Sequence, residues 1–115
     1  MKENLVKLQN WGCDVEGALP RLINDEDFLL ECIEQVSGDP AFEALGECLE
    51  KKDTEGAFEA AHSLKGIIAN TGITPLFDII VKIVEPLRLG EADGLEAYYK
   101  ELLEKRSELQ KVLGE

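Results

Sequence analysis

The sequence predicts an all-α fold: an up-down antiparallel four-helix bundle with an additional short N-terminal helix or helices. Three observations carry that expectation. No stretch alternates apolar and polar residues long enough to make a half-buried strand. Helix start and stop signals divide the chain cleanly, with Asp, Asn or Pro at beginnings and Gly at ends. The connections left between the segments are short, so consecutive helices should be antiparallel neighbours.

Taken in order, a short helix is expected over residues 15–23. The next begins after Asn24 as N-cap, where Asp25, Glu26 and Asp27 suit the positive end of the helix dipole. It should bury Phe28, Leu29, Cys32, Ile33 and Val36, and Ser37-Gly38 ends it. Asp39-Pro40 starts a third, Asp as cap and Pro in the first turn, with Phe42, Leu45, Cys48 and Leu49 as its apolar set. A fourth runs from Asp53 as cap to about Asn70 and is stopped by Thr71-Gly72. Thr74-Pro75 opens the fifth, which reaches Leu89-Gly90, although Pro86 inside it should kink or shorten it. The last runs from about Asp93 to Val112, with Leu95, Tyr98, Tyr99, Leu102 and Leu109 on one side. Trp11 and the two tyrosines are expected at the ends of the bundle.

Composition bounds the function. A chain of 115 residues, 44% hydrophobic and 31% charged, is one globular domain over residues 1–115. Twelve Lys and Arg against 24 Asp and Glu give a formal charge of −12, which repels phosphate backbones and anionic lipid. No nucleic acid and no membrane is expected as a partner; any partner should be a protein. The acidity also suits a monomer, and Glu31, Glu34, Glu47 and Glu50 read as solvated faces. Apolar runs such as Ile79-Ile80-Val81 are too short to span a bilayer, and residues 1–4 open no signal segment, so a cytoplasmic location is expected. Cys13, Cys32 and Cys48 form no C-x-x-C pair. They argue against a disulfide framework or a zinc site and should be buried free thiols in a reducing compartment.

The fourth helix carries the chemistry. At about 100° per residue, Ala57, Ala61, Leu64 and Ile68 fall in one stripe with Phe58 at its edge, and that stripe is the core face. His62, Lys65, Gly66 and Ala69 form a second stripe, rotated by roughly 110°. The only histidine of the chain therefore lies on a flank, with a lysine at i+3 and a glycine at i+4. A glycine in a helix interior costs about 0.5–1 kcal/mol relative to Ala, so its presence asks for a reason. A bare position beside the imidazole gives a large molecule room to approach; close packing between helices is the plainer explanation.

Ala61-His62-Ser63-Leu64-Lys65-Gly66 resembles the A-H-x-L-K-G signature of histidine-containing phosphotransfer (HPt) domains. Asn70-Thr71-Gly72 stands where that family has a polar residue and a helix-ending glycine. Leu76, nine residues after Ile67, and the stretch 85–88 with Glu85 and Arg88 resemble its second hairpin helix, while 14–19 and 25–30 are similar to its opening. The likeness spans about residues 12–112. Pro86, and Ile73 where the family often has Ala, depart from it.

The resemblance implies a phosphorelay intermediate of two-component signal transduction. His62 would be the phosphoacceptor, its Nε2 attacking an aspartyl-phosphate and the phosphoprotein later passing the group on. Lys65 would stabilise the phosphoryl oxygens, and Gly66 would be the close-approach surface. The implied partners are the receiver domains of a hybrid sensor histidine kinase and a response regulator. No cofactor is implied for this chain, since the magnesium ion belongs to the receiver. No G-x-x-x-x-G-K-[ST] or other nucleotide loop is present, so no ATP site and no autonomous kinase activity is expected. The rival class is a non-catalytic adaptor or inhibitor of a two-component kinase that keeps the bundle without the transfer. Docking is expected on Ala69, Asn70, Phe77 and Val84. Leu76, Ile80, Ile83 and Leu87 suffice for the core of the fifth helix, which leaves Phe77, Val81 and Val84 to pack under the N-terminal helices or form an apolar patch near His62.

Overall fold

Three aspartates open helices in the same way, each side chain accepting a hydrogen bond from the backbone N–H three residues on. Asp14 takes it from Gly17 (3.0 Å), Asp25 from Phe28 (3.1 Å) and Asp53 from Gly56 (3.0 Å). Each bond satisfies one of the donors that a helix start leaves orphaned. The computed structural model describes residues 1–114. Its elements are α1 (Glu3–Trp11), α2 (Val15–Ala18) continuing into a 3-10 turn (Leu19–Leu22), α3 (Glu26–Ser37), α4 (Ala41–Glu50), α5 (Thr54–Asn70), α6 (Thr74–Arg88) and α7 (Glu96–Val112).

Four legs make the core: α3 and α4 together, then α5, α6 and α7, with α1 and α2 as short N-terminal additions. The break within the first leg is Gly38-Asp39-Pro40, where Asp39 accepts a bond from the Ala41 N–H at 2.8 Å. α5 lies against α4 on one side and α6 on the other, and α6 lies between α5 and α7. The legs enclose one continuous apolar core that includes Leu29, Ile33, Phe42, Leu45, Leu64, Ile68, Leu76, Ile80, Ile83, Leu102 and Leu109.

The last leg is tied down by polar side chains as well as by Leu102 and Leu109. Tyr99 donates its hydroxyl to the Phe42 carbonyl at 2.8 Å. Gly46 makes that approach possible, because a Cβ there would run into the tyrosine hydroxyl. Arg106 meets Glu43 at 3.0 Å with its guanidinium 4.7 Å above the Phe42 ring. The Trp11 indole N–H donates to Glu108 at 3.1 Å, which joins α1 to α7.

Several expectations change in detail. The cap of α3 is Asp25, not Asn24: Asp25 has the extended backbone an N-cap needs, whereas Ile23 and Asn24 both adopt positive φ. Phe28 is not in the core but 41% exposed, since α3 buries the i, i+4, i+7 stripe of Leu29, Ile33 and Val36. The single helix expected over 15–23 is one α-turn followed by a 3-10 turn containing Pro20. The last helix starts at Glu96, after a turn at Asp93-Gly94. Cys13 is buried and its thiol is pushed up to about 12 by desolvation, but Cys32 and Cys48 are only half-buried. Tyr98 lies exposed on the surface. Pro86 occurs in the last turn of α6, which continues to Arg88 and ends there, short of the expected Leu89-Gly90. Among the described residues no helix is long and apolar enough to cross a membrane.

Candidate functional site

α5 presents two faces. Ala57, Ala61, Leu64 and Ile68 are all fully buried, as the core stripe requires. On the adjacent flank His62, Gly66 and Ala69 are exposed and Lys65 is half-buried. Helical side chains lean toward the N-terminus of their helix. His62 accordingly lies back on Phe58, one turn earlier, with ring centroids 5.4 Å apart and planes 15° from parallel. Lys65 reaches instead toward α6, where its Nζ meets Glu85.

Charged groups from α6 border this flank. Glu85 lies between Lys65 (Nζ to Oε1, 4.0 Å) and Arg88 (Nε to Oε2, 3.7 Å). The Arg88 guanidinium is 5.4 Å from the centroid of the Phe58 ring. Both ion pairs are long and have the exposed Glu85 carboxylate as partner, so each is worth little and is easily given up. The imidazole thus rests on an aromatic ring, and that ring's neighbour Arg88 shares the Glu85 carboxylate with Lys65.

Gly66 is not there for helix packing. A Cβ built on it would meet no atom within 4 Å. The position opens into a groove of about 330 Å³ between α3 and α5, lined by Cys32, Gln35, Val36, Asp39, Ile67, Asn70 and Thr71 as well as Gly66. An exposed imidazole with a lysine one turn away and open space beside it can react with an electrophilic group carried by a bulky molecule.

The helix exit is built by a Schellman motif. Gly72, at φ +71°, donates to the Ala69 carbonyl and Ile73 to the Ile68 carbonyl, each at 3.2 Å. Arg21 adds a further cap, donating Nη2 to the Ala69 carbonyl (3.0 Å) and Nε to the Asn70 carbonyl (3.2 Å). The Ala69 and Asn70 side chains stay exposed. Phe77 is half-buried beside them, in a cleft of about 240 Å³ with Arg21, Ala69 and Ile73. Val84 is fully buried and cannot contribute to a surface patch. Its position in the wide apolar arc of α6 serves a helix with two neighbours, α5 and α7.

Sequence reasoning placed Phe58 at the edge of the core and missed its contact with His62. The signal was the i−4 spacing, at which helical side chains meet. Among the described residues, no group of three or more His, Cys, Asp or Glu side chains is placed to hold a metal ion. Compared with protein-family models, with curated proteins and with solved structures, the chain has no match.

Proposed function

We propose that this chain is a histidine-containing phosphotransfer module, a phosphorelay intermediate that accepts a phosphoryl group on His62 from one receiver domain and gives it to another. The observation that carries the reading is the flank of α5: an exposed imidazole, a lysine at i+3 and a bare glycine at i+4 where a Cβ would meet no atom within 4 Å. The A-H-x-L-K-G sequence supports it, as does the four-helix core in which that flank faces outward.

In the proposed step the Nε2 lone pair of a neutral imidazole attacks the phosphorus of an aspartyl-phosphate. The N–P bond forms while the P–O bond to the aspartyl oxygen breaks, and the electron pair leaves with the carboxylate. The ring keeps its proton on Nδ1. In its neutral form an imidazole nitrogen is a good nucleophile. Lys65 offsets negative charge on the phosphoryl oxygens, and magnesium is supplied by the receiver. The proposed partners are receiver domains of a hybrid sensor kinase and of a response regulator, in the cytoplasm.

The test is incubation with a receiver charged by acetyl phosphate and magnesium. Labelling is expected at one site, acid-labile and base-stable as a phosphoramidate is, and ATP alone should give none. His62→Gln should abolish it while far-UV circular dichroism stays unchanged, because the exposed flank makes few core contacts. Label that survives His62→Gln, or a wild type that never accepts phosphate from any receiver of its own organism, points instead to a non-catalytic adaptor.

A further inference from the structure

We infer that Phe58 is a positioning residue for this site: its ring is a shelf that holds the His62 imidazole in the orientation needed for in-line attack. The inference rests on the phosphotransfer reading and adds a residue to it.

A histidine on an exposed helix flank would ordinarily sweep through several side-chain rotamers. Here the imidazole is stacked on the Phe58 ring, with centroids 5.4 Å apart and planes 15° from parallel. The shelf is itself anchored. Phe58 is half-buried at the edge of the core stripe, and Arg88 lies 5.4 Å from its centroid. Arg88 is in turn engaged by Glu85 at 3.7 Å.

Stacking has a consequence that edge contact or a hydrogen bond would not. The nucleophilic lone pair of imidazole lies in the ring plane, so covering one face leaves it free. A hydrogen bond to the same nitrogen would occupy it. With one face resting against the Phe58 ring and the Gly66 position open one turn away, the contact restricts the ring's orientation without occupying a nitrogen. Fixing a nucleophile in attack geometry is a large source of rate, and small misplacements are costly. After transfer the ring that keeps its Nδ1 proton is cationic, and an aromatic face attracts a cation. The shelf therefore also favours the phosphorylated ring.

The experiment is single-turnover transfer from an acetyl-phosphate-charged receiver, measured over a range of receiver concentrations. Wild type is compared with Phe58→Leu, which keeps apolar volume without a flat face, and Phe58→Tyr, which restores the ring. Phe58→Leu is expected to lower the saturating rate roughly three- to tenfold with an unchanged half-saturating receiver concentration, and Phe58→Tyr to recover most of it. In NMR spectra the His62 ring protons should show an upfield ring-current displacement in wild type and Phe58→Tyr that is lost in Phe58→Leu. Undiminished transfer by Phe58→Leu overturns the inference, and so does a change in half-saturation alone, which would make Phe58 a docking contact. Absence of the ring-current displacement in the wild type overturns it even if Phe58→Leu does not fold. A wild type that accepts no phosphate while showing that displacement fails the functional reading instead, and removes the role of Phe58 with it.

Discussion

Two glycines, one within α5 and one at its exit, lack a side chain for different reasons. A Cβ at Gly66 meets nothing within 4 Å. Gly66→Ala should therefore stabilise the fold by about 0.5–1 kcal/mol, the usual helix-interior difference, seen as a higher Tm. Gly66→Leu should fold equally well but slow transfer strongly, because its side chain projects into the space a receiver needs. Equal transfer by Gly66→Leu and wild type would remove the close-approach role. At Gly72 the positive φ and a Cβ site 2.6 Å from the Asp14 carbonyl oxygen leave no room. Gly72→Ala should cost on the order of 1–3 kcal/mol, read as a lower Tm. Lys65→Ala belongs at the same scale: a half-exposed lysine already paired at 4.0 Å to Glu85 loses little stability when removed. Its absence should slow transfer without stopping it, in the same receiver assay.

The elements carry their start signals unevenly, and that decided what could be read from sequence. Asp53 caps α5 through Gly56, and the stripe behind it is unambiguous, so the helix that holds the site was legible to the residue. Asp53→Ala should cost about 1 kcal/mol, measured as a shift in denaturant midpoint at unchanged slope. α1 was not legible. It has no side-chain cap and gives the core only Leu5 and Leu8, too few to display a period. At α3 two adjacent residues of capping type, Asn24 and Asp25, compete, and only backbone conformation separates them. The arc of α6 is too wide for one face, and periodicity leaves Phe77, Val81 and Val84 open to packing under the N-terminal helices or to an exposed patch, because it does not count neighbours. Two packed neighbours absorb Val84 and Ile79 into the interior. Phe77 is half-buried in the cleft it shares with Arg21 and Ala69, so Phe77→Asp would disturb folding along with any docking and does not test docking by itself. Phe58 eluded the sequence because a residue at the boundary between two stripes belongs to whichever side chain leans on it.

At the scale of the whole molecule, two opposing electrostatic effects set the response to acid. Glu43 is held below the usual carboxylate range chiefly by the hydrogen bond from Arg106, and Glu108 chiefly by the hydrogen bond from the Trp11 indole, with Lys105 assisting. Both contacts fasten α7, to α4 in one case and to α1 in the other. A carboxylate whose folded pKa is depressed contributes stability that is present above its unfolded pKa and is lost as pH falls through the folded one. As pH falls through their lowered folded values these two anchors should therefore release. Against this stands the formal charge of −12, whose repulsion is relieved as the other acidic groups take up protons. Raising salt at pH 7 screens that repulsion without protonating the anchors, so Tm should rise modestly with ionic strength at neutral pH. The acid limb isolates the anchors. Glu43→Gln combined with Glu108→Gln removes both titrations while Gln can still accept from Arg106 and Trp11. The double variant should start less stable at pH 7 and lose Tm less steeply than wild type as pH falls from about 4.5 to 3. Parallel slopes for the two proteins over that interval would mean that the Glu43 and Glu108 contacts contribute little to holding α7.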